Sequence, residues 1–215
     1  MRKRASKFLS LFLVLAMVCS LFGTAMAAEG TTQADGDVLV LYTNDVHTYI
    51  DNNVGEGNEN GLTYSKVAGY KDSLDNALLV DAGDHIQGTA YGSMDKGATI
   101  IELMNAAGYD LATLGNHEFD YGYQNLKDLE ADADFTIVDA NVLYNGQVAF
   151  EDNVVFTAPD GTKIGVFGLD TPETATKAHP AKIQGVTFLA GEDLYDCAQE
   201  QVDALTAEGL SLIHI

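Results

Sequence analysis

Tyr109-Asp110-Leu111-Ala112-Thr113-Leu114-Gly115-Asn116-His117-Glu118-Phe119-Asp120 is the stretch on which the reading of this chain turns. An apolar run, Leu111 to Leu114, stops and is followed within six residues by an amide, an imidazole and two carboxylates. Such groups where a strand ends form a site if other segments bring matching ligands to the same place; alone they are a polar turn.

Two earlier segments repeat the pattern. Residues 37–42 read as a buried strand ending in Thr43-Asn44-Asp45-Val46-His47. Residues 77–81 read as a second strand, closed by Ala82-Gly83-Asp84. Between the strands, the spacing predicts a helix over 62–74, with Val67, Tyr70 and Leu74 on one face. It predicts another over 93–107, striped by Ile100, Ile101, Leu103 and Met104. A helix over 124–133 and a strand over 135–138 follow, leading to Asp139-Ala140-Asn141. Beyond these come an exposed strand pair within 148–156, a turn at Pro159-Asp160-Gly161, a core strand over 163–169 and a last helix over 193–205. Residues 51–61 resemble a calcium loop, but Gly55 and Glu56 stand where an acid and a glycine are needed, so they read as a surface loop.

Strands alternating with helices imply an α/β sheet with layered packing. Open sheets of that kind gather ligands at the carboxyl ends of their strands, so Asp45 and His47, then Asp84, then Asn116 and His117 are placed to converge. Alternate residues of an extended segment point the same way, which directs Asp45 and His47 at one ion. A single carboxylate such as Asp84 can bridge two ions, and Gly83 and Gly88 permit a tight turn around it.

Together Tyr42-Thr43-Asn44-Asp45-Val46-His47, Gly83-Asp84-His85-Ile86-Gln87-Gly88 and Gly115-Asn116-His117-Glu118-Phe119-Asp120 resemble the calcineurin-like metallophosphoesterases. More narrowly they resemble the branch of secreted 5'-nucleotidases, UDP-sugar hydrolases and cyclic-nucleotide phosphodiesterases. The resemblance runs over about 38–169. It implies a metallophosphoesterase-type αββα layered sandwich with two divalent metal ions (Zn, Mn, Co, Mg or Fe). It makes Asp45, His47 and Asp84 ligands of one metal, with Asp84 bridging, and Asn116 a ligand of the second. His117 becomes the catalytic histidine and Asp120 its partner, while Asn116, His117 and Asn141 are expected to touch substrate. Glu118 and Phe119 are expected to support the loop, and His85 to lie behind the ligands or on the surface; His179 receives no role. The implied activity is 5'-nucleotidase-type hydrolysis of nucleoside monophosphates. The alternatives are 2',3'-cyclic nucleotides, UDP-sugars or a sulfur-containing ester, or a secreted binding fragment without turnover.

The resemblance also implies later histidine ligands and a carboxyl-terminal substrate domain that these 215 residues do not supply, so the sandwich is expected to be truncated. His214 is out of register for such a ligand. Residues 210–215 read as a non-native tail, since one choice of codons for them reproduces a sequencing-library transposon end. An incomplete metallophosphoesterase domain is then expected over 37–209, and the fragment alone is expected to be inactive or poorly folded, because an unfinished sheet leaves edges and apolar faces exposed.

Residues 1–28 read as a secretory signal: a basic start, an apolar core over 8–22 and the small-residue site Ala25-Met26-Ala27. The core is nearly long enough to span a membrane, but that site favours cleavage and no stable insertion afterwards. A flexible connector, 29–36, follows. The signal makes the product one expected to be secreted or displayed at the cell surface, and Cys197, the one cysteine then left, has no partner for an internal disulfide. Loss of the signal removes Arg2, Lys3, Arg4 and Lys7. Seven lysines remain against 32 acidic residues, a net charge near −25. That balance excludes nucleic-acid polymers and anionic membrane surfaces as partners, but not a phosphate ester brought in by bound cations.

Overall fold

Four parallel strands carry the architecture, joined by helices that all return on one side. The structure is a computed structural model and describes residues 37–50 and 61–210; the signal, the connector, the 51–60 loop and all of the tail but Leu210 lie outside the described residues. Strand β1 (Leu39–Thr43) pairs with β2 (Ala77–Asp81) from Leu39 against Ala77 to Thr43 against Asp81. β2 pairs with β3 (Leu111–Ala112), and β3 with β4 (Thr136–Ile137). Spatial order follows chain order, so right-handed crossovers place α1 (Tyr64–Lys71), α2 (Ala90–Asp95), α3 (Ala98–Ala107) and α4 (Tyr123–Asp132) on a common face. A core of Tyr64, Leu79, Ile100, Ile101, Met104, Leu126 and Ile137 joins the helices to the sheet.

Other buried residues, among them Leu78, Val138 and Ala158, lie outside that core. Strand β5 (Val142–Tyr144) pairs antiparallel with both β6 (Gln147–Val148) and β9 (Val186–Phe188). Strands β7 (Val154–Thr157) and β8 (Lys163–Val166) form a hairpin. A short helix, α5 (Thr174–Lys177), precedes β9, and α6 (Glu192–Ala207) follows it. The Cys197 thiol of α6 donates to the Ala140 carbonyl, and Leu205 lies against Gly165 of β8. The mixed α/β layering agrees with the metallophosphoesterase-type fold class.

Several elements differ from the sequence reading. The helix expected over 93–107 is two helices, because Lys96 and Gly97 both take left-handed φ. Gly97 does so against Ile86, where a Cβ would come within 2.7 Å of the Ile86 Cβ. The helix expected over 62–74 is shorter and turned: Tyr64 is buried and Tyr70 exposed. The pair expected within 148–156 is divided between two sheets, Val148 in β6 and Val154 to Phe156 in β7. The core strand expected over 163–169 is a half-buried strand over Lys163–Val166 that pairs with β7. The turn at 159–161 forms, with the Asp160 carboxylate accepting the Thr162 N–H at 2.8 Å.

Among the described residues no helix is long and apolar enough to cross a membrane. Leu79→Ala, at a fully buried position in β2, is expected to lower unfolding free energy by roughly 2–5 kcal/mol, read from denaturant midpoints.

Candidate metal centre

The loops after β1, β2 and β3 lie side by side because their strands do, and they are bonded to one another through main chain. The Asp45 N–H donates to Gly83 O at 3.1 Å, and the His47 N–H to Asp84 O at 3.0 Å. Asp45, His47, Thr48 and Asp84 all have φ between 47° and 61°, a strained region for residues with a Cβ. Buried Thr48 is held there by Thr89, whose N–H donates to the Thr48 hydroxyl and whose hydroxyl bonds the Thr48 carbonyl.

Glu118 fixes the third loop to the second. It is fully buried in the 3-10 turn Asn116–Phe119. Its Oε2 accepts the N–H groups of Asp84 at 2.8 Å and Gly115 at 2.7 Å, and its Oε1 those of His85 at 2.8 Å and Ile86 at 3.3 Å. A Cβ on Gly115 would stand 2.4 Å from Asp84 Oδ1, so only glycine fits between the two loops. Behind this contact His85 is also fully buried, its Nδ1 2.8 Å from Asp81 Oδ1 and 3.5 Å from Glu118 Oε1. Burial pulls its pKa down, but the Glu118 and Asp81 carboxylates outweigh that and hold it at about 9. The fold therefore places His85 behind the ligands, not on the surface.

One atom each from His47, Asp84 and His117 lie within 4.8 Å of one another, and all three residues are half-buried. His47 Nδ1 donates to Gln87 O at 3.1 Å, which leaves Nε2 for an ion. Asp84 Oδ1 accepts the His117 N–H at 2.9 Å, and Oδ2 is uncommitted among the described residues. The His47 and His117 rings meet edge to face, centroids 5.0 Å apart. Asp45 stands beside the group and more exposed, Oδ1 3.6 Å from His47 Nε2. Asn116 opens the 3-10 turn, half-buried, its amide unpartnered among the described residues. The donor set of imidazole, carboxylate and amide suits a borderline or hard divalent cation.

His117 Nδ1 lies 2.7 Å from Asp120 Oδ2. Desolvation lowers the His117 pKa, yet Asp120, by hydrogen bond and charge, and then Asp84 and Glu118 raise it overall. Asn141 is placed differently from the expected substrate contact. It is fully buried, its Oδ1 accepting the Asp170 N–H at 2.8 Å and its Nδ2 donating to Asp170 O at 2.9 Å and Leu189 O at 3.4 Å. Buried, and bonded through both its amide oxygen and its amide nitrogen, Asn141 ties its own loop to the segments at Asp170 and Leu189.

Residues 38–204 match the family model for calcineurin-like phosphoesterases. The chain belongs to that family. It is 32% identical over 185 residues to human 5'-nucleotidase, covering 79% of this chain and 31% of that protein. It is 30% identical over 204 residues to snake venom 5'-nucleotidase of Gloydius brevicauda, covering 87% and 34%. Among solved structures, a 5'-nucleotidase precursor of Thermus thermophilus superposes with a TM-score of 0.66 at 30% identity, over 80% of this chain and 35% of that one. The calcineurin-like phosphoesterase YfkN of Bacillus subtilis does so at 0.64 and 27%, over 80% and 59%. The chain thus spans about a third of the length of the curated relatives it matches. The family uses divalent metals, and the His47, Asp84 and His117 group is a candidate to hold one.

Two predictions follow from this geometry. Glu118→Ala leaves four N–H groups without their acceptor and frees the Asp84 loop; divalent-metal affinity is expected to fall at least about tenfold, measured by metal titration, with Glu118→Gln in between. The second concerns Asp170, which is fully buried with one carboxylate oxygen unpartnered. Burial, then the Glu118 and Asp84 charges, push its pKa from 3.8 to about 7 against the Thr174 hydrogen bond. The folded state therefore binds more protons than the unfolded one between about pH 4 and 7, and stability falls as pH rises through that window. The shift amounts to about 4 kcal/mol at most. Asp170→Asn is expected to flatten the decline in the metal-free protein, as shown by melting temperature against pH.

Proposed function

We propose that the chain is the metal-binding part of an exported phosphoester hydrolase of the 5'-nucleotidase type, releasing phosphate from nucleoside monophosphates. The observation that supports this most is the convergence of His47, Asp84 and His117 at the ends of three adjacent parallel strands. The relatives named 5'-nucleotidase favour nucleotides as the substrate class. On this reading Asp45, His47 and Asp84 would hold one divalent cation, and Asp84 with Asn116 would contribute to a second. Residues 1–28 direct export, and residues 37–209 form the phosphoesterase domain.

Bound cations would supply Lewis acidity that activates a water and neutralises phosphoryl charge. The chain's own part is positioning and proton handling. His47 is held in the tautomer that presents Nε2, and Glu118 holds the Asp84 loop against the turn that carries Asn116. His117 directs Nδ1 at Asp120, which favours the protonated ring and leaves Nε2 to stabilise the phosphoryl oxygens or protonate the departing alkoxide.

Phosphate release from AMP by the complete gene product with Mn²⁺ or Zn²⁺ is the direct test. Folded, metal-loaded protein that releases phosphate from no nucleotide would overturn the reading. The roles separate in two variants: His117→Ala is expected to lose turnover by about 10²-fold or more with metal content largely kept, whereas Asp84→Ala loses metal. The reverse pattern makes His117 a ligand and removes it from proton transfer.

A further inference from the structure

Where the Asp120 turn runs into α4, Tyr123 and Tyr144 stack with ring centroids 4.1 Å apart and planes 15° off parallel. The Phe150 ring backs Tyr123 edge-on at 6.3 Å. This aromatic wall borders a cleft of about 360 Å³ whose lining includes Gly122, Asn125, Lys182 and Gln184, a size that suits a small ligand. Gly122 lines it at φ 99°, a conformation that favours glycine, with the Lys182 side chain 3.4 Å from where a Cβ would stand. The Tyr123 N–H donates to Lys182 O at 3.0 Å, which pins the lysine backbone beside the stack.

Two complementary chemistries therefore line one cleft. Tyr144 is 39% exposed, so the stacked pair still presents aromatic surface, and Tyr123 beneath it has already fixed the ring's orientation. Lys71, Lys127 and Lys177 are each ion-paired and Lys66 bonds a carbonyl. Lys182 is exposed, and its ammonium, like those of Lys96 and Lys163, has no partner among the described residues. In a chain with a net charge of −21, an uncompensated cation beside a stacking surface selects an anion that carries a flat ring. Asn125, which also lines the cleft, donates its Nδ2 to Lys96 O at 3.0 Å.

We propose that this cleft binds a nucleoside monophosphate, the base against Tyr144 and the phosphate on Lys182, separately from the metal ligands. The choice of a nucleotide among aromatic anions rests on the proposed function; the cleft itself uses none of those ligands.

The test is titration of the EDTA-stripped chain with AMP, adenosine and inorganic phosphate, followed by calorimetry. AMP is expected to bind saturably and more tightly than either fragment. Lys182→Gln is expected to weaken AMP about tenfold and leave adenosine unchanged, and Tyr144→Ala to weaken both. Lys182 is exposed and its ammonium has no partner among the described residues, so its variant decides the matter even if Tyr144→Ala fails to fold. No saturable AMP binding, no preference for AMP over adenosine, or unchanged AMP binding by Lys182→Gln would each overturn the proposal. Metal-dependent turnover is scored in a separate assay, so the two readings fail independently.

Discussion

Four main-chain N–H groups converge on the Glu118 carboxylate, and the candidate metal centre depends on that contact. An ionised carboxylate buried without partners is costly, and one that accepts several N–H bonds is not. Here the donors come from two loops, three from the segment after β2 and one from Gly115. Folding Glu118 inward therefore fixes the second loop against the third. Asp84 sits at φ 61° within that clamp and Gly115 faces it without a Cβ. Local strain at Asp84 is offset by hydrogen bonds that exist only when the loops are together, which is how such a conformation persists at a site.

The same region concentrates negative charge. Asp81, Glu118, Asp139 and Asp170 are all buried, and Asp45 and Asp84 stand nearby at the strand ends. His85 supplies one internal cation between Asp81 and Glu118. Asp139 answers differently: burial first, then the charge of Asp170, raise its pKa well above the ordinary carboxylate value. A field of this sign repels a phosphate ester until cations enter. Cations bound at the strand ends would offset that field.

Much of this was legible in the sequence where a local signal exists. Apolar runs marked β1 and β2, and the glycines with acids after them marked the loops. What escaped depends on partners far along the chain. The break at Lys96 and Gly97 follows from Ile86 lying where a side chain would go. Val148 and Val154 look alike in sequence, yet pairing with Leu143 puts the first in one sheet and pairing with Val166 puts the second in another. His85 showed no periodicity to mark it as buried, because its burial rests on Asp81 four residues earlier and Glu118 thirty-three later.

Residue type at a strand end was therefore an incomplete guide, and hydrogen-bonding valence completes it. Asp81, Glu118 and Asn141 carry the same atoms as ligands, but the chain itself occupies them: Asp81 binds Thr43, Gly83 and His85, Glu118 binds four amides, and Asn141 bridges Asp170 to Leu189. His47, Asp84 and His117 each use one atom for positioning and keep another free. A side chain held by one end and open at the other is oriented without being neutralised. That half-satisfied state is what a metal or substrate requires, and it separates the candidate site residues from the scaffold beside them.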